Sequence, residues 1–337
     1  MALATEAHEI SDIAFGFMGS KALFAALEFG CFNHLSDGPL TAEQLAEKSG
    51  LHADRALTLL TALAGLGLVA VEDGEFSNSP AAEAFLVNGA KYDFSDYLTR
   101  QVAQQMYPLM DQIEDALADT LDDEATGSYA DWFSDPAQAR LYSESQHKGS
   151  LGPARQLSRK LDLSSARRML DVGGGTGAFS ITFCRDNPAL HSVIVDFPNV
   201  AAVGREYVAR AGLSERIAYD DADATRGAWP GDQDVVLMSY LLSGVPAEMH
   251  EDLFRQAFRA LKPGGRLLVH DFVVRADRTG PGLTALWQLQ HTAFTPHARS
   301  LDDGWLAETL TRIGFRVEEV RPMIPELTML AEAVKPR

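Results

Sequence analysis

Gly173, Gly175 and Gly177, spaced by two with Gly174 between the first pair, end the apolar run Leu170-Asp171-Val172 and lead into a helical pattern. Without a Cβ, the chain can turn tightly there and approach a ligand closely, so the stretch predicts a strand–loop–helix cradle for a nucleotide-like molecule. Val193-Ile194-Val195-Asp196 then supplies a second strand ending in a carboxylate, placed to accept hydrogen bonds from both hydroxyls of a ribose. A dinucleotide fingerprint would read G-x-G-x-x-G and leave room for pyrophosphate. Asp171, two residues before Gly173, would repel a pyrophosphate but suits an ammonium group. The expected ligand is therefore S-adenosyl-L-methionine, with S-adenosyl-L-homocysteine as product.

These residues need a sheet to hold them. From Arg167 onward strands are predicted at 168–172, 192–196, 216–219, 234–239, 266–272 and 315–320, with a last apolar stretch at 327–334. Lys262-Pro263-Gly264-Gly265-Arg266 reads as a turn feeding a buried strand. Strands alternating with helices predict an α/β fold, a Rossmann-like doubly wound parallel sheet with its ligand at the carboxyl ends of the strands. Ahead of it, residues 10–35 read as one helix, Thr41-Ala42-Glu43-Gln44 as a capping box opening a helix over 43–49, and 54–66 as a third helix. A hairpin follows through Asp73-Gly74. Helices with a two-stranded wing resemble a winged-helix unit. Acids outnumber bases on it, so it is read as a dimerisation module and not a DNA reader. The expected domains are 1–95 (dimerisation), 96–165 (aromatic-rich helices over an acceptor pocket) and 166–337 (cofactor-binding catalysis).

Forty-seven acidic against 29 basic residues in 337 leave a net charge of −18, which disfavours nucleic acid and anionic membranes as partners. Cys31 and Cys184 stand apart in apolar surroundings, as reduced thiols of a cytoplasmic protein would. The acidic start lacks the basic region of an export signal. Leu57–Val71, taken as the most apolar stretch, is too short to span a bilayer.

Leu170–Gly177, Asp196-Phe197-Pro198, Asp221-Ala222-Asp223-Ala224, Leu237–Val245, Leu261–Arg266 and Ile313-Gly314-Phe315 occur in the order and spacing of class I S-adenosylmethionine-dependent methyltransferases. Over nearly the whole chain the sequence resembles their small-molecule O-methyltransferase subgroup, in which a winged-helix dimerisation domain precedes the catalytic domain. The resemblance implies a homodimer and a small-molecule acceptor. It also implies that Gly173, Gly174, Gly175 and Gly177 line the cofactor, that Asp196 and Phe197 meet its ribose, and that Asp223 and Ala224 meet its adenine. Ser239 falls where a polar or basic residue contacts the cofactor, and Tyr142 and His147 on the helix passing over its methionine end.

One departure bears on mechanism. In plant-type members the strand ending at Leu242 runs into a His-Asp pair whose histidine takes the acceptor's proton; here those positions are Ser243 and Gly244. A serine hydroxyl is too weak a base for a phenol of pKa ~10. A thioether sulfur needs no base, and methyl transfer to it requires only alignment and exclusion of water. The chain is similar in this to the bacterial S-methyltransferases of dimethylsulfoniopropionate synthesis, which methylate 4-methylthio-2-hydroxybutyrate. The favoured expectation is thus S-methylation, with Tyr107, Tyr142, Gln146, His147 and His291 as acceptor donors and Trp287 beside His291. Two alternatives stay open. An O- or C-methyltransferase of a natural-product or pigment pathway would use His291, His147 or His297 as a moved base, or an activated Ser243; a cofactor-binding DNA regulator is opposed by the acidic balance. His270, Asp271 and His291 resemble a metal set, but adjacent strand residues point to opposite faces, so no metal is expected.

Overall fold

A computed structural model describes residues 3–121, 129–295 and 297–337. The chain divides into two compact units, one ending at Tyr107 and the other running from Pro108 to Arg337. The helical stretch 96–165 is shared between them.

In the first unit the expected helix over 10–35 is two helices, Ala7–Glu28 and Cys31–Ser36, separated because Gly30 takes a left-handed conformation (φ +63°). The capping box at Thr41 forms as expected: Gln44 N–H donates to Thr41 Oγ1 at 3.3 Å and Thr41 N–H donates to Gln44 Oε1 at 2.8 Å. It opens the helix Ala42–Ser49, followed by Ala53–Gly65. Strands β1 (Val69–Glu72) and β2 (Glu75–Asn78) pair through the Asp73-Gly74 turn, where both φ angles are positive, as a tight hairpin demands. Phe32, Leu45, Leu60, Leu63 and Phe76 fill the core. Ile10, Ile13, Phe15, Phe17 and Met18 on Ala7–Glu28 remain exposed. That 22-residue helix, rather than Leu57–Val71, is the one among the described residues that is long and apolar enough to cross a membrane.

The second unit holds a seven-stranded sheet in the order β5-β4-β3-β6-β7-β9-β8: β3 is Arg168–Val172, β4 His191–Asp196, β5 Ile217–Asp221, β6 Gln233–Ser239, β7 Leu261–Asp271, β8 Arg316–Ile324 and β9 Thr328–Val334. β3 to β7 are parallel, but β9 runs antiparallel to both β7 and β8. The sheet is therefore mixed, not wholly parallel, because the short link Pro325-Glu326-Leu327 can join β8 and β9 only as a hairpin. The predicted turn at 262–266 lies inside β7 as an irregularity: Gln233 pairs with Leu261 and Val235 with Arg266. Successive residues of β3 feed opposite faces, Met169 into one core with Phe183 and Ile194, Leu170 and Val172 into another with Val236 and Phe254. Strand order reverses between β3 and β6, and in such sheets the crevice at that reversal takes the ligand.

Candidate active site

At that crevice the second unit has a cavity of about 310 Å³, lined by the glycine loop, the ends of β4 and β6, and helix Pro136–Lys160. Gly173, Gly175 and Gly177 all hold positive φ, and a Cβ on Gly177 would meet Ile194 Cδ1 at 2.9 Å, so loop and helix can close down only on glycine. On the Gly175 side that a side chain would occupy, nothing lies within 4 Å. Asp196 is buried at the end of β4 and accepts N–H bonds from Gly175 (2.7 Å) and Phe197 (2.8 Å). Burial pushes its carboxyl up to about 6. Asp171 is likewise raised to about 6 by burial, despite the Ser180 hydroxyl donating to it at 2.6 Å. Two buried acids held near their ionisation point suit a ligand that brings hydroxyl donors and positive charge.

Asp223 and Ala224 line the cavity beside Arg226, with Asp223 fixed by the N–H (2.9 Å) and hydroxyl (2.7 Å) of Thr225. Ser239 also lines it, its hydroxyl 2.9 Å from His270 Nδ1. His270 Nε2 is 2.8 Å from the Thr328 hydroxyl, and full burial drives the ring down to about 3, so it is neutral. Carboxylates, glycine cradle and cavity size together fit S-adenosylmethionine.

The other end of the cavity is aromatic. Tyr142, Ser143, Gln146 and Ser150 reach it from helix Pro136–Lys160, joined by Tyr129 and Phe133. Tyr129 packs against Phe133 (5.5 Å between centroids), Tyr142 (6.0 Å) and Phe294 (5.2 Å). Its hydroxyl is 3.4 Å from that of Tyr142. Ser143 Oγ and Gln146 Oε1 are buried with no partner among the described residues, and both side chains face the cavity. Tyr240 follows β6 at φ +57°, a strained conformation for a bulky residue, with its ring 4.8 Å from His270 and 5.1 Å from Phe272.

Several expected acceptor residues have other surroundings. His147 Nδ1 is 2.7 Å from the Thr176 hydroxyl and its ring 4.0 Å from Tyr207, so it braces the glycine loop; burial, then Arg210, Arg155 and Arg185, lower it to about 4. His291 and Trp287 pack against Phe272, at 5.6 and 4.6 Å, and burial lowers His291 to about 4. Neither is among the residues that line the cavity. Ser243 is buried; its N–H and that of Leu242 donate to Asp271 Oδ2 (3.2 and 2.9 Å), while Phe272 N–H takes Oδ1 (2.8 Å). Asp271 therefore ties down the loop where a base was expected, and His270 and Asp271 both spend their polar atoms inside the protein. Tyr107 lies in the first unit, its ring 5.7 Å from Phe24 and 4.6 Å from Lys21 Nζ. His297 accepts the Ala247 N–H on its carbonyl at 2.8 Å. Sequence reasoning missed Tyr129, Tyr240 and Thr176, although Tyr129 opens the aromatic run at 129–133 and Thr176 lies inside the glycine stretch 170–177.

A family model for the O-methyltransferase domain matches residues 107–316, and one for the O-methyltransferase dimerisation domain matches residues 11–88. The chain belongs to this O-methyltransferase family. It is an S-adenosylmethionine-dependent methyltransferase, with the family's dimerisation domain ahead of its catalytic domain. It is 32% identical over 281 residues to 3-hydroxy-5-methyl-1-naphthoate 3-O-methyltransferase of Streptomyces sahachiroi, covering 83% of this chain and 81% of that one. To the N,N-dimethyltransferase OxyT of Streptomyces rimosus it is 29% identical over 349 residues, covering 100% and 98%. Human N-acetylserotonin methyltransferase in complex with SAM has the same fold, with a TM-score of 0.86 at 21% identity over 100% of both chains. PigF with SAH superposes with a TM-score of 0.83 at 24% identity, over 98% of this chain and 100% of that one.

Proposed function

We propose that this methyltransferase acts on a small acceptor whose nucleophilic atom has no proton to lose, a thioether sulfur, with 4-methylthio-2-hydroxybutyrate the first acceptor to test. Bound S-adenosylmethionine would supply the methyl group, the acceptor lone pair forming the new bond as the methyl–sulfonium bond breaks, with a neutral thioether left on S-adenosylhomocysteine and the positive charge passed to the acceptor. Asp196 would accept the ribose hydroxyls, Asp223 and Ala224 would flank the adenine, and Asp171 would face the ammonium end. The aromatic end of the cavity excludes water, and rings such as Tyr129 and Tyr142 stabilise a sulfonium product by about 0.5–2 kcal/mol.

One observation carries this reading: among the described residues that line the cavity there is no histidine or lysine, and the basic side chain that is there, Arg226, is paired with Asp223 and stays protonated. His291 off the cavity is no substitute. Moving a proton from a phenol of pKa ~10 to an imidazole near 4 costs about 8 kcal/mol. A second reading, an oxygen acceptor, is favoured by the 32% identity to the naphthoate O-methyltransferase.

Purified protein incubated with methyl-labelled S-adenosylmethionine and a panel of thioether carboxylates, hydroxynaphthoates and amines tests both. Transfer to the thioether at a rate flat above about pH 7 is expected. Transfer only to hydroxyls, rising about tenfold per pH unit, overturns the proposal in favour of the second reading. The dimerisation domain supports a homodimer, in which the apolar face at Ile10, Ile13 and Phe17 would be covered by a second copy in the cytoplasm, with neither nucleic acid nor membrane as partner.

A further inference from the structure

Gly244 and Tyr129 interlock. A Cβ built on Gly244 would stand 2.8 Å from Tyr129 Cε2 and 3.5–3.6 Å from Cδ2 and Cζ, so the phenol ring lies directly on the Gly244 backbone. Gly244 has no positive φ, so its backbone would tolerate a side chain; only the ring excludes one. The ring cannot swing away cheaply. It is gripped by Phe133 from its own turn, Tyr142 from helix Pro136–Lys160 and Phe294 from helix Gly282–Phe294. Tyr129, Tyr142 and Gly244 all line the cavity.

We propose that Tyr129 is the specificity-determining residue of the acceptor end. Its ring takes the volume a side chain at position 244 would fill and narrows the cavity to a slim, unbranched acceptor. Its hydroxyl is hydrogen-bonded to that of Tyr142 at 3.4 Å, and the linked pair lies where a polar group of the acceptor, such as a carboxylate, would meet it. The class of ligand rests on the proposed small acceptor; the interlock does not.

The test is a double-mutant cycle, run on whichever acceptor in the panel is methylated, so that its failure is separable from failure of the thioether reading. Gly244→Ala should lower kcat/KM by at least about tenfold in the wild-type background, yet by less than about twofold in Tyr129→Ala, where the obstructing ring is gone. Tyr129→Ala should also raise activity on branched or aromatic acceptors relative to slim ones. Tyr129→Phe, which keeps the ring, should raise the acceptor KM about five- to tenfold and leave S-adenosylhomocysteine affinity within about twofold. Independent effects of the two substitutions would overturn the proposal, as would a Tyr129→Phe that weakens cofactor and acceptor equally. Thermal melting and S-adenosylhomocysteine binding identify any variant that has failed to fold; Tyr129→Phe then decides alone.

Discussion

Replacing Asp196 by asparagine should make the apo-protein more stable and the enzyme worse. Burial raises the carboxyl from the ordinary aspartate range to about 6, so at neutral pH the folded protein carries a charge it would rather not hold. The proton affinity changes by about a hundredfold, which at ~1.4 kcal/mol per decade is a cost of about 3 kcal/mol. Asparagine removes the charge, but its single carbonyl oxygen cannot accept both the Gly175 and Phe197 N–H groups as the carboxylate does. One unsatisfied donor returns about 1–2 kcal/mol of the gain. The net is roughly 1–2 kcal/mol of stabilisation, a rise of about 2 °C in melting temperature for a chain of this size.

The gain has a pH signature. Because the folded-state pKa is the higher one, the folded protein binds more protons than the unfolded chain between about pH 4 and 6; the penalty is complete above 6 and fades as pH falls through that window. Asp171, also raised to about 6 and partly so by the Asp196 charge, contributes in the same direction. Wild type and Asp196→Asn should therefore differ in melting temperature at pH 7.5 and converge near pH 4.5. Losing a charged acceptor for the ribose hydroxyls should meanwhile weaken S-adenosylhomocysteine binding by about 3 kcal/mol, roughly a hundredfold, read by titration calorimetry at pH 7.5. A variant that melts below wild type at pH 7.5 would refute the argument from burial. One that binds S-adenosylhomocysteine as tightly as wild type would refute the place given to Asp196 in the site.

His147→Leu removes the 2.7 Å bond to Thr176 while keeping the packing on Tyr207; S-adenosylmethionine KM should rise about five- to tenfold with acceptor KM unchanged, measured by initial rates. Asp271→Asn leaves at least one of three buried N–H groups unpaired, while burial, which raises the Asp271 carboxyl, makes loss of the charge favourable; the two offset, so denaturant melts should move by less than about 1 kcal/mol while kcat falls as the Leu241–Val245 segment loosens. Phe17→Glu on the exposed face of Ala7–Glu28 should shift the protein from dimer to monomer in light scattering at micromolar concentration, and an unchanged mass would remove that face from the interface.

The glycine loop, Asp196 and the strand positions were legible because each depends on neighbours in sequence: a run of buried residues, a turn only glycine can make, a carboxylate at a strand end. The Thr41 capping box is local in the same sense, and it formed as read. What depended on orientation or distant packing was not legible. The reversal of β9 arises from a three-residue link whose consequence is set by where β7 already lies. Tyr142, Ser143, Gln146 and Ser150 line the cavity from one helix, whereas His147, four residues after Ser143, is held by the Thr176 hydroxyl and the Tyr207 ring; motif matching placed it over the ligand because it cannot see those two distant partners. Ser243 and Gly244 are the instructive pair. From sequence they are a base that is absent, a deficit to be made good by a histidine elsewhere. In the structure the deficit is already filled, since Asp271 secures the Ser243 backbone and Tyr129, 115 positions earlier, lies against Gly244. A tyrosine and a glycine so far apart carry no shared pattern, and their contact exists only once the helix bearing Tyr142 and the end of β6 have been brought to the same cavity. It follows that restoring histidine and an acidic residue at 243 and 244 would not restore a base mechanism by itself: the acidic side chain would collide with the Tyr129 ring, and the backbone that presents the histidine would still be held by Asp271.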